Sequence, residues 1–246
     1  MRLSRDFQIL KMIFKERYRE PTLEVIFSTM IVSNVFITAF YARALFSLYG
    51  IVLAFIPLIS VSETIAFAIG MRNIIFVTGD HIARQTIVSF LTFPISRIKL
   101  FSFIYITDLL VPYLCWLSST EIYILLSGID VPQGLILLYS IGYFFSLNLI
   151  LLITLTMRSS GLVTLFSGFV LGVLFVFGGI AEYYEIISNN LSLANIISFA
   201  NPYVILLYQA IRNSNINYFN FGVIIEFITS LVLLVISIIK FKELEV

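Results

Sequence analysis

The chain has 246 residues, of which 60% are hydrophobic and only 12% charged, with a net charge of +1 and a mean hydropathy of +1.03. Soluble domains are about a quarter charged, so this composition excludes an ordinary soluble domain and predicts an integral membrane protein. A net charge this near zero implies nothing about nucleic acid or acidic substrates; the distribution of charge matters instead. The single Cys115 excludes an intrachain disulfide and carries no redox signal.

The first twenty residues hold six of the fifteen Lys and Arg. They lack the uninterrupted apolar core and small-residue site of a cleaved leader. Leu3, Phe7, Leu10 and Phe14 recur at helical spacing, with Arg5, Lys11, Lys15 and Arg19 largely on the remaining surface. This pattern predicts a helix over 1–20 lying in the membrane interface, its cations near anionic headgroups.

Six segments are long and apolar enough to cross roughly 30 Å of hydrocarbon at about 1.5 Å per residue. They fall near 22–42, 48–71, 101–126, 134–157, 160–180 and 221–239, forming one all-α membrane domain over 1–246 with no repeat or linker. The first span carries Asn34 and Thr38 on one face; the second carries Ser60, Glu63 and Thr64 at the i, i+3, i+4 positions of another. Such polar stripes either bind helices together or border a passage.

Between the second and third spans lies an oddly polar island, Gly79-Asp80-His81-Ile82-Ala83-Arg84-Gln85, followed by Leu91-Thr92-Phe93-Pro94-Ile95-Ser96-Arg97. Its patterning predicts a short surface helix over 79–91 against which a partner protein pushes, with Gly79, Asp80, His81, Arg84, Gln85 and Arg97 as coupling residues. In the third span, Asp108 is an ionisable group at membrane depth, and such groups default to functional hypotheses. Glu121 and Glu226 lie nearer the outer ends of the third and sixth spans and are expected to reach the interface.

The fifth span carries Gly161, Gly168 and Gly172, a small-residue ridge that lets another helix approach, from this chain or a second copy. Residues 182–220 read as an outer loop with one or two short helices dipping into the interface, because Asn201-Pro202 interrupts the apolar run 196–211. Asn190-Leu191-Ser192 in that loop is a sequon. Only Arg43 and Arg212 fall opposite the basic ends, so both termini are predicted to be cytoplasmic in the plasma membrane.

Catalytic chemistry is poorly supported. One His and one Cys cannot supply the nitrogen and sulfur ligands of a zinc-type site, and there is no GxxxxGK[ST] loop or Gly-x-Ser-x-Gly context. No catalytic residue, metal site or bound cofactor is expected, and the chain reads as a non-enzyme.

The order of these elements, together with Leu91, Pro94, Ser96 and Arg97 before the third span and Asn201-Pro202-Tyr203 followed by Arg212 before the last, resembles the permease subunits of the type-2 ABC exporter family. Two departures stand out. His81 to Gln85 replace part of the acidic Gly-Thr start of the coupling helix, and Gly178-Gly179-Ile180-Ala181 stands where a proline often follows the fifth span. The resemblance implies six spans, an interfacial arm, a cytoplasmic coupling helix and short outer re-entrant helices. It also implies a second permease copy or homologue and two separate ATPase subunits that bind ATP and Mg. The cargo would be an amphiphile such as a drug, lipid, glycolipid or peptide. Carried onto this chain, it makes Asn34, Thr38, Ser60, Glu63 and Thr64 candidate passage residues. The alternative is a six-span channel or ion-coupled carrier using Glu63 and Asp108.

Overall fold

A computed structural model describes residues 2–19, 22–37, 51–87, 95–127, 131–157, 159–212 and 216–244. Among these residues the chain is all-helical, without strands. Helix α1 spans Arg2–Arg17 and α2 spans Thr22–Ile37. Helix α3 runs over Ile51–Arg72, passes through a π-helical turn at Asn73–Thr78, and continues over Gly79–Ala83. Helix α4 likewise joins Arg97–Tyr105 and Val111–Ser127 through a π-helical turn at Ile106–Leu110. Helix α5 spans Gln133–Met157. Helix α6 runs over Ser160–Gly172, through a third π-helical turn at Val173–Gly178, to Gly179–Ile187. Two short helices, α7 at Leu191–Ile197 and α8 at Tyr203–Ile211, precede the last long helix, α9, at Phe221–Lys242.

Five helices are long and apolar enough to cross a bilayer. A sixth is counted if Asp6–Arg17 and Thr22–Ile37, bent by 63°, form one span. Helices satisfy their own backbone hydrogen bonds, which is the condition for crossing hydrocarbon. Helix α5 lies at the centre of the bundle, with α9 packed along it. Leu135, Tyr143, Leu147 and Ile150 of α5, with Trp116 of α4, form the middle of the core. Gly70 of α3 permits this packing: a Cβ there would sit 2.7 Å from Leu147 and 3.2 Å from the Asp108 carbonyl oxygen.

Several expectations change. The separate surface helix over 79–91 does not begin at Gly79. That glycine has ordinary right-handed helical geometry (φ −62°), and nothing between Arg72 and Ala83 breaks the helix, so α3 carries on. The turn comes at Arg84–Thr86, where Gln85 takes a left-handed φ of 56°. Residues 88–94, including Leu91 and Pro94, lie outside the described residues.

In α1, Ile9, Ile13 and Arg17 face the bundle, and Phe7, on the apolar stripe of the expected interfacial helix, is 65% exposed. Helix α6 is seven residues longer than the predicted fifth span. Its glycine ridge meets no internal helix: among the described residues nothing lies within 4 Å of a Cβ built at Gly161, Gly168 or Gly172. Val163 and Ser167 are the buried positions of its first stretch instead. Asn190 of the sequon caps α7, accepting from the Leu193 backbone N–H.

Candidate functional site

The basic ends of the chain converge. Lys99 pairs with Asp6 at 2.8 Å. Arg97 donates to the backbone oxygens of Lys242 and Leu244 at the end of α9, placing a cation on carbonyls the helix leaves unpaired. Behind this surface the C-terminus of α1 is sealed into α3 and α4. Arg17 is 2% and Asp108 0% exposed, and Arg17 Nε donates to Asp108 Oδ1 at 2.9 Å. Arg17 Nη2 donates to Thr78 Oγ1 at 3.0 Å, and that hydroxyl donates to Asp108 Oδ2 at 2.6 Å.

Thr78 and Asp108 both sit on π-helical turns, which widen the helix and shift its hydrogen-bond ladder. The altered α4 turn presents carbonyls to other elements. Tyr18 donates to the Thr107 oxygen at 2.7 Å, and Tyr143 to the Leu109 oxygen at 2.9 Å. Asn73 donates to Tyr18 Oη at 3.0 Å.

The network extends to the α3 tip. Glu16 Oε2 pairs with Arg17 at 2.6 Å while its Oε1 lies 2.7 Å from His81 Nε2. The other His81 nitrogen is 2.8 Å from Thr86 Oγ1. A carboxylate can only accept, so the Glu16 contact places a proton on Nε2. Arg84 is 76% exposed beside Gln85. Its 3.8 Å pair with Asp80 is a solvent-side contact that adds little stability. Arm and tip therefore form one charge-linked unit with the exposed Arg84 on its outside.

A second polar centre surrounds Glu63, between α3, α5 and α6. A pocket of about 540 Å³ is lined by Ser60, Glu63, Thr64 and Phe67 of α3, by Tyr139, Gly142 and Ser146 of α5, by Leu171, Gly172 and Phe175 of α6, and by Asn201 and Tyr203. The Tyr139 and Tyr203 rings stand 4.8 Å apart. Asn201 donates to the Phe175 oxygen at 2.8 Å and accepts from the Tyr203 N–H. The Asn-Pro-Tyr element thus joins α8 to the π-helical turn of α6. Among the described residues, Glu63 makes no hydrogen bond or ion pair.

The structure therefore divides the residues singled out from sequence. Ser60, Glu63 and Thr64 line the pocket together. Asn34 is buried within α2 and does not line it, and Thr38 lies outside the described residues. Asp108 belongs to the Arg17 network, apart from the pocket. Gly79 packs against Thr154, and Asp80, His81, Arg84 and Gln85 gather at the α3 tip. Arg97 is engaged with the end of α9. Glu121 is exposed, but Glu226, expected at the interface, is only 1% exposed. Sequence reasoning missed Arg17, Tyr18, Thr78 and Tyr139, and singled out Tyr203 only within the Asn-Pro-Tyr element. The Ile9–Ile13–Arg17 spacing was the available signal for the first.

Comparison with protein-family models, with curated proteins and with solved structures finds no match for this chain.

Proposed function

We propose that the chain is the membrane-spanning permease of an ATP-driven ABC exporter, carrying an amphiphile outward and powered by separate ATPase subunits. The observation that carries this reading is the locked unit at the basic end. Arg17, Asp108 and Thr78 tie the arm to α3 and α4, and Glu16 and His81 tie it to the α3 tip. A push on the exposed Arg84–Gln85 turn therefore moves α1, α3 and α4 together, because buried charge pairs cannot be separated cheaply. The Lys and Arg distribution favours the cytoplasmic side for this end, where a motor subunit would meet it. The chain itself has no phosphate-binding Gly-rich loop, which leaves hydrolysis to a partner.

In this reading the pocket around Glu63 is the passage face. The open glycine ridge of α6 faces a second permease copy. The carrier alternative is weakened because Asp108, one of its two carboxylates, is neutralised by Arg17.

The test is Arg84→Glu in the complex formed with the cognate ATPase. The reading predicts intact membrane insertion with substrate-stimulated ATP hydrolysis lost. Full stimulation in the variant would count against it.

A further inference from the structure

A second pocket adjoins the first and differs from it in chemistry. It has a volume of about 470 Å³ and lies between the outer part of α6 and α8, walled mainly by Val176, Ile180, Val204, Leu207 and Ile211. Phe175 and Asn201 line both pockets, and their 2.8 Å hydrogen bond forms the ledge between them. The first pocket contains a carboxylate, Glu63, and the rings of Phe67, Tyr139, Phe175 and Tyr203; no Lys, Arg or His lines it among the described residues. Aromatic faces around a carboxylate attract an ammonium group through ring quadrupole and charge together. A cation brought beside Glu63 also favours its ionised form. The second pocket offers hydrocarbon contact, which suits an alkyl chain.

We infer that the two pockets form one site for a cationic single-chain amphiphile, with its ammonium head against Glu63 and the aromatic rings and its tail in the α6–α8 groove. Charge complementarity fixes the head end, and continuity across the Phe175–Asn201 ledge fixes the tail end. Both volumes fall within the range of about 300–1,000 Å³ usual for small-molecule sites. This inference supplies the substrate class for the permease reading and rests on that reading for outward movement, though not for binding.

The experiment is calorimetric titration of the full chain in a neutral maltoside detergent with dodecyltrimethylammonium, using dodecyl sulfate as the anionic control. Saturable binding of the ammonium compound is expected, at least about tenfold tighter than the sulfate. Glu63→Gln should abolish that preference and Glu63→Asp should keep it. Phe175→Leu leaves the carboxylate in place and should weaken ammonium binding about threefold. Leu207→Trp should remove the advantage of the dodecyl over the octyl ammonium. Equal affinity for the two charges, or an unchanged preference in both Glu63→Gln and Phe175→Leu, would overturn the inference. A chain that binds the ammonium amphiphile but couples to no ATPase would overturn the export reading alone. One that couples but shows no charge preference would overturn this inference alone.

Discussion

The two polar centres handle membrane-embedded charge in opposite ways. At the basic end every member of the Arg17–Asp108–Thr78 group is paired, and the surrounding carbonyls find Tyr18 and Tyr143. In the pocket, Glu63 faces open volume and aromatic rings without a bonded partner among the described residues. A charge kept out of water is stable only when paired and hydrogen-bonded. The first arrangement therefore holds structure, and the second is where the proposed cationic head would find its counter-charge. The contrast teaches that an ionisable residue inside a span is not a functional sign by itself; what it faces decides.

That contrast can be broken or sharpened by substitution. The largest effect is expected at Asp108→Ala, which removes the fully buried partner of Arg17 and leaves it only the part-exposed Glu16 as a counter-charge. Unfolding free energy should drop by about 3–5 kcal/mol, measured by thermal or denaturant unfolding in detergent. Adding Arg17→Met should restore much of the loss, and a double variant as unstable as the single would show that the ion pair is not the cause. Gly70→Val comes next, since the new methyl groups press on Leu147 and the Asp108 carbonyl. A loss of about 1–3 kcal/mol is expected. Asn220→Ala removes the side-chain cap on the Val223 N–H of α9 and should cost about 1 kcal/mol. Glu63→Gln should change stability least. A loss at Glu63 as large as at Asp108 would erase the distinction between the centres.

The helical membrane class was legible because hydropathy over long windows records the bilayer directly. The Ser60–Glu63–Thr64 face was legible because helical spacing is a local rule. Other features depended on contacts that spacing does not encode. Arg17 and Asp108 are separated by 91 residues, and the π-helical turns that bring Thr78 and Asp108 to Arg17 have no sequence mark of their own. Gly79 opens the expected surface helix, yet it has ordinary helical geometry and packs close to Thr154, so α3 runs on through it. The Phe7 stripe of α1 is as regular as the Ile9–Ile13–Arg17 stripe, yet the second is the buried one, and Phe7 is 65% exposed. Five of the twelve residues of the pocket wall come from α5 and the Asn-Pro-Tyr element, which only the fold brings to α3.

The most direct measurement of the central claim is purification of the tagged chain from its native membrane, followed by assay of ATP hydrolysis and transport in proteoliposomes. The account predicts that ATPase subunits copurify, that hydrolysis rises with an amphiphilic cargo, and that transport stops without ATP. A chain that purifies without an ATPase and still moves its cargo in the absence of ATP would contradict it.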